Sequence, residues 1–295
     1  MTDRILDVAE RPARLRVENG LLVIEPESGD KATLPLTDIA VLLVSHPQVS
    51  YTQAVLAGLA RAGAAFVACD ERHMPAAMLL PLERHSTQGE RFQIQADAPL
   101  PTKKRLWQQI VQAKLRAQAR VLVTHAGGDH GLAAMSEQVR SGDPENLEAR
   151  AAQRYWPALF GAAFRRDPDI EDHNALLNYG YGVLRATVAR AICSAGLHPC
   201  LGLHHHNRYD AFRLADDLME PYRPLVDRAV FEWVKVCGQV YPVDKHAKNA
   251  LLLALTGRIE HEGESRTLFD LLSRSAASLA AVFMGERKDL LLPEL

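Results

Sequence analysis

Long hydrophobic runs are missing from this sequence. None of its 295 residues belongs to a stretch of about 18 consecutive apolar positions, so a membrane-spanning helix is not expected and no membrane partner is called for. Cysteine is sparse. Cys69, Cys193, Cys200 and Cys237 lie far apart and form no C-x-x-C pair. That spacing argues against a disulfide framework or a zinc knuckle and suits a reduced, cytoplasmic setting. The opening MTDRILDVAE is charged and lacks an apolar run, so no signal peptide is expected. Charge of neither sign dominates: 34 Lys and Arg face 36 Asp and Glu, for a formal net charge of −2. Overall electrostatics therefore do not point to a polyanionic partner, although a local basic patch remains open. There is no glycine-rich phosphate loop of the G-x-x-x-x-G-K kind, no internal repeat and no low-complexity tract.

What is present is a globular composition, 47% hydrophobic and 24% charged, in a length that suits one large domain or two ordinary ones. The first 85 residues read as β-rich. ARLRVENGLLVIEP alternates apolar and polar positions around Asn19-Gly20, a strong hairpin signal. DIAVLLVS suits a buried strand; YTQAVLAGLARAGAAFVAC gives a helix, a stop at Gly63 and a further strand from Ala65 to Cys69; PAAMLLPL reads as one more strand. Residues 86–102 are polar, end in Pro99 and Pro101, and read as a linker. From 103 to 295 the pattern is helical, with Leu106, Ile110, Val111 and Leu115 at helical spacing. Asp143 is expected as a cap ahead of Pro144, Gly196 closes a long apolar helix, and a small hairpin falls in TGRIEHEGESRTL.

Chemistry concentrates in GLHHHNRYDAFRLADDLMEP. A helix capped by Asp210 places Phe212, Ala215, Leu218 and Met219 on an apolar stripe. Arg213, Asp216, Asp217 and Glu220 share one face. Carboxylates so spaced repel by a few tenths of a kcal/mol per pair, which a divalent cation would offset; Arg213 on a solvated face is the plainer alternative. A histidine in the turn after Gly202 can aim at the same point as Glu220. Glu148, on the helix that follows Pro144, shares its face with Ala151, Ala152, Tyr155 and Leu159 and has no basic partner there. It calls for either a metal or an ion pair with a distant base. Two carboxylates with one imidazole suit Mg²⁺ or Mn²⁺, whereas structural zinc would want thiolates or four closed ligands.

These stretches carry a resemblance. ENGLLVIE, DIAVLLVSHPQVSYTQAVLAGLARAGAAFVACDERHMPAAMLLPLE, KKRLWQQIVQAKL, VRSGDPENLEARAAQRYWPALFG, LNYGYGVLRATVARAICSAGLHPCLGLHHHNRYDAFRLADDLMEPYRPLVD and LFDLLSRSAASLA follow one another over nearly the whole chain. Together they resemble the family of the CRISPR-associated protein numbered one, the integrase or endonuclease of spacer acquisition, in its type II branch. The resemblance implies an α+β fold: a β-sandwich-like dimerisation domain over 1–85, the linker, and a larger all-helical catalytic domain over 103–295. It implies metal ligands at Glu148, His205 and Glu220, with His204 as the alternative histidine and Asp217 as an outer ligand. It implies a homodimer, a second small partner (the CRISPR-associated protein numbered two), and double-stranded DNA with splayed ends as substrate.

The reaction so implied is attack by the 3′-hydroxyl of a captured DNA fragment on a phosphodiester at the edge of a CRISPR repeat, with hydrolysis when water takes the hydroxyl's place. Candidate contacts to the DNA backbone are Lys103, Lys104, Arg105, Lys114, Arg154, Arg165, Arg166 and Arg223. Tyr155, Trp156, Tyr179 and Tyr181 are candidates for stacking on splayed bases or for core packing. The competing functions are a metallohydrolase of small phosphoesters and a non-catalytic DNA-binding scaffold.

Overall fold

After a short first strand, β1 (Arg4–Val8), the alternating apolar and polar positions become β2 (Ala13–Glu18) and β3 (Leu21–Pro26). Asn19 and Gly20 turn the chain between β2 and β3 with φ of 51° and 78°, as a two-residue Asn-Gly hairpin requires. β4 (Ala32–Pro35), β5 (Ile39–Val44) and β6 (Ser50–Tyr51) lead to helix α1 (Gln53–Ala62), which stops at left-handed Gly63; β7 (Ala65–Cys69) and β8 (Pro75–Leu79) complete the region. The computed structural model describes residues 4–70, 75–81, 85–170, 172–237, 243–261 and 263–295. The ends of three expected elements, Leu82, Gly238 and the hairpin residue Glu262, lie outside these.

Two four-stranded sheets form, in the orders β1-β5-β7-β8 and β4-β3-β2-β6. They agree with the expectation of a sandwich-like N-terminal part, but the first sheet is mixed: β1, β5 and β7 run parallel and β8 antiparallel. Every residue of β5 is buried because the sheet is covered on both faces. Leu42 and Val44 pack with Leu15 and Leu22 of the second sheet and with Val55 and Leu59 of α1. Val41 and Leu43 point the other way, into the core built by the helices. A polar tie reinforces that junction: Tyr179 donates to Asp7 at 2.9 Å and Lys248 pairs with the same carboxylate at 3.6 Å.

The helical part comprises α2 (Gln88–Ala96), α3 (Leu100–Ala126), α4 (Leu132–Gln138), α5 (Leu147–Phe160), α6 (His173–Ser194), α7 (Arg213–Met219), α8 (Arg223–Cys237), α9 (Lys245–Thr256) and α10 (Leu268–Phe283). It is not all-helical. β9 (Arg258–His261) and β10 (Glu264–Thr267) form the small antiparallel hairpin expected in TGRIEHEGESRTL. The segment expected as a linker also holds structure. α2 is anchored by Gln95, wholly buried, which donates to the carbonyls of His198 and Leu201 and accepts from the His198 amide. Pro99 and Pro101 start α3 rather than ending a linker, because proline is tolerated before and within a first helical turn.

α6 is buried on nearly all sides, which makes it the axis of the helical part. It approaches α8 closely at Gly180, where a Cβ would lie 2.5 Å from Val226 Cγ1. Among the described residues no helix is long and apolar enough to cross a membrane.

Candidate active site

The site is assembled from α3, the start of α5, the turn before α7 and the 3-10 turn Glu220–Tyr222 that joins α7 to α8. α3 presents a stripe of Trp107, Ile110, Val111, Lys114 and Gln118, all buried. Lys114 therefore carries its charge inward, an arrangement that is stable only if anions meet it.

Glu148 and Glu220 meet it. The Lys114 ammonium contacts Glu148 Oε1 closely and lies 2.5 Å from Glu220 Oε2. Glu148 sits in the first turn of α5, where the exposed amides of a helix start favour negative charge. That start is fixed by Asp143, whose two carboxylate oxygens accept from the amides of Leu147 and Glu148 at 2.9 and 3.0 Å. Asp143 thus caps the helix as expected, but from four residues ahead, with Asn146 in the formal cap position at φ 51° and Pro144 outside the helix. Glu220 is 5% exposed, and Arg223 donates to its Oε1 at 2.8 Å. Burial works to raise the Glu220 pKa, but Arg223 and then Lys114 outweigh it and hold it at about 2. Burial likewise works against charge on Lys114, yet Glu220 and Glu148 keep its pKa above that of an ordinary lysine.

The histidine turn is organised by Asp217, which is wholly buried. Its carboxylate accepts the amides of Leu203, His204 and His205 at 2.6, 3.1 and 3.2 Å, and the Nδ1 of His205 at 2.6 Å. The hydrogen bond to Asp217 raises the His205 pKa against the effect of burial. With Nδ1 so engaged, Nε2 is the ring nitrogen left for a ligand. Gly202 makes the turn possible: a Cβ there would lie 2.9 Å from Arg213 Cβ and 3.1 Å from Asp217 Oδ2. His204 stacks flat on Trp107, ring centroids 4.2 Å apart. A cavity of about 240 Å³ results, lined by Trp107, Glu148, His204, His205, His206 and Glu220.

The acidic helix face resolves residue by residue. α7 begins at Arg213, not at Asp210, because the Asp210 carboxylate accepts the Phe212 amide at 2.8 Å and pairs with Arg185. Asp216 also pairs with Arg185, Asp217 holds the histidine turn, and Glu220 takes Arg223 and Lys114. Their mutual repulsion is therefore relieved by separate protein partners.

Among the described residues no group of three or more His, Cys, Asp or Glu side chains is placed to hold a metal ion. The donors nevertheless fit one. Two carboxylates converge on a single cationic nitrogen, an imidazole with one engaged nitrogen faces the same cavity, and Glu220 is buried with the Lys114 ammonium against its Oε2. This oxygen-rich set, with one nitrogen, suits Mg²⁺ or Mn²⁺.

Other candidates fall differently. Lys114, Arg166 and Arg223 are engaged internally: Arg166 donates to Asn174 and Asn178, and the other two hold Glu220. Lys104, Arg105, Arg154 and Arg165 are exposed and Lys103 is half-buried. Tyr155, Tyr179 and Tyr181 are buried, and Trp156 packs on Tyr155, Phe160 and Phe164, so these rings are core rather than stacking platforms. Tyr155 and Tyr181 both donate to Asp227, whose pKa burial pushes up to about 6. The residues missed by sequence reasoning as parts of the cavity are Trp107 and, in its true role, Lys114. A lysine on an apolar helical stripe was the available signal.

A profile of the family described as CRISPR associated protein Cas1 matches residues 6–237. The CRISPR-associated endonuclease Cas1 of Neisseria meningitidis serogroup C (strain 8013) is 36% identical, over 100% of this chain and 97% of that protein. Among solved structures, a casposase bound to integration product superposes with a TM-score of 0.82 at 18% identity, over 97% of this chain and 92% of that one. A Cas6-RT-Cas1–Cas2 complex gives a TM-score of 0.77 at 17% identity, over 97% of this chain and 35% of that one. At such identities the two structures speak for the shared fold.

Proposed function

This chain belongs to the Cas1 family of CRISPR-associated proteins, and on that premise we propose that it is a metal-dependent DNA endonuclease and integrase of CRISPR adaptation, reacting in the cavity between Glu148, His205 and Glu220. The observation that carries the reading is the convergence of Glu148 and Glu220 on one cation position, with His205 on the wall of the same cavity. The relative named as an endonuclease and the casposase bound to integration product support it.

Glu148, His205 and Glu220 would hold Mg²⁺ or Mn²⁺, which when bound supplies electrophilic activation of a phosphate and neutralises charge that builds up on it. The protein's own part is to keep these donors ready. Arg223 and Lys114 keep Glu220 ionised at every physiological pH, and Asp217 fixes the His205 tautomer and aim. Trp107 and His204, stacked face to face, give the cavity a flat aromatic wall. In strand transfer the 3′-oxygen of the fragment bonds to phosphorus as the bond from phosphorus to the repeat's 3′-oxygen breaks. The proton leaves the attacking hydroxyl and a proton ends on the departing one. Of the candidate bases, Lys104, Arg105, Arg154 and Arg165 are exposed and so accessible to DNA phosphates.

The proposal includes a homodimer, a domain division near residues 86–102, duplex DNA with splayed ends and a CRISPR repeat as substrates, and a small second CRISPR-associated partner, supported by the Cas1–Cas2 pairing named in the related complex. The test is strand joining with Mn²⁺, a branched DNA and that partner, comparing the natural chain with Glu220→Ala. Joining is expected from the natural chain and a loss of at least about a hundredfold from the variant. Equal joining by both removes Glu220 from the chemistry, and no joining by either favours the scaffold.

A further inference from the structure

Lys114 occupies the place where the proposed ion ligands converge. The residue is 7% exposed, and its ammonium lies within ion-pair reach of both Glu148 and Glu220. Among the described residues it is the one base paired with Glu148, whereas Glu220 keeps Arg223 on its other oxygen. A lysine, unlike arginine, is a compact point charge on a flexible four-carbon stem, able both to fill such a gap and to withdraw from it. Two carboxylates drawn together without a cation would repel in a poorly solvated setting, so an ion-free protein needs this counter-charge. A divalent ion bound to the same oxygens cannot share the space, since ammonium and ion would lie in contact with like charge.

Resting on the reading of this cavity as an ion site, we propose that Lys114 is a built-in competitor of the divalent cation: it holds Glu148 and Glu220 together in the ion-free protein and is displaced when the ion binds. The residue is a positioning residue, acting through the two carboxylates. It makes loading of the site a substitution of one cation by another, so the divalent affinity is set by how readily the tethered ammonium leaves. The protein is thereby folded and preorganised before the ion arrives, and the ion must be abundant enough to win.

The test uses the full chain and Mn²⁺ alone, with binding followed by loss of the six-line electron paramagnetic resonance signal of free Mn²⁺. The natural chain, Lys114→Met, Lys114→Arg and Glu220→Gln are compared, together with their melting temperatures in chelator and in Mn²⁺. Lys114→Met is expected to bind Mn²⁺ at least about tenfold more tightly, to melt lower in chelator, and to gain more from Mn²⁺ than the natural chain does. Lys114→Arg keeps the charge and should bind no more tightly than the natural chain. Where Lys114→Met fails to fold by circular dichroism, Lys114→Gln carries the same expectation.

A second measurement needs no variant. Acylation of lysines read by mass spectrometry should label Lys114 poorly in chelator and well in saturating Mn²⁺, with Lys103 and Lys104 as unchanged references. Unaltered or weaker binding by Lys114→Met, or labelling of Lys114 that ignores Mn²⁺, overturns the competitor role while leaving the ion site standing. Binding that is untouched by Glu220→Gln, or absent from the natural chain and Lys114→Met alike, overturns the ion site itself and the competitor role with it.

Discussion

His205 and Asp217 are joined twice, through the backbone amide at 3.2 Å and through the ring Nδ1 at 2.6 Å. The imidazole cannot rotate without breaking the second bond or pulling the turn away from the first. Asp217 is thus the device that aims His205, and its buried carboxylate also accepts the amides of Leu203 and His204.

Asp217→Asn keeps the volume but offers an amide where Nδ1 and three amides need an acceptor. The His205 pKa is expected to fall back from its raised position, and stability to drop by about 2–4 kcal/mol. Nitrogen-resolved NMR titration of the histidines and urea unfolding check both. An unmoved His205 titration would dismiss the aiming role.

The Glu220 pair gives the protein an acid limb. The carboxyl titrates near 4.5 when unfolded and at about 2 when folded, so its stabilisation is complete above pH 4.5 and is lost as pH falls toward 2. Glu220→Gln should lower stability at pH 7 and show a shallower decline between pH 5 and pH 2. Unfolding free energy measured across that range decides; parallel curves for the two proteins would refute the linkage.

Asp227 titrates with the opposite sign. Its carboxyl sits near 3.8 unfolded and at about 6 folded, so the folded state prefers the protonated form. That contribution is full below pH 3.8 and is lost as pH rises through 6. Asp227→Asn can still accept from one tyrosine and donate to the other. It should remove this pH dependence and raise stability at pH 8, relative to pH 5, by up to about 2 kcal/mol against the natural chain. Chemical unfolding at the two pH values provides the comparison.

Gly180→Ala should push α6 from α8, because the new methyl would meet Val226 Cγ1 at 2.5 Å. A loss of about 1–3 kcal/mol is expected, and Val226→Ala added to it should return part of that loss. A double-mutant cycle by thermal unfolding measures the coupling; strict additivity would show that the contact is unimportant.

Much of this could be read along the chain. The Asn19-Gly20 turn, the buried run of β5, the stop at Gly63 and the long α6 follow from short-range rules that the sequence states directly. The short strands β1, β4 and β6 were not legible, since two to five residues carry little periodicity and pair with distant partners. α2 was hidden in a polar segment whose buried residue is a glutamine, made inward-facing only by the carbonyls of His198 and Leu201. The acidic face of α7 was seen, but not that Arg185, from α6, would claim both Asp210 and Asp216.

By itself the sequence determined which residues have chemistry to offer: a carboxylate without a partner on its own helix, a histidine turn opened by Gly202, and an acidic helix end. Helical spacing and turn chemistry are local, so those are written in neighbouring letters. Only the tertiary structure decided that Lys114 would be the cation between Glu148 and Glu220, and that Asp217 would hold the His205 ring. The physical reason is that a buried charge takes whichever opposite charge the packing of other elements brings within reach, and that choice is made across the core, not along the chain.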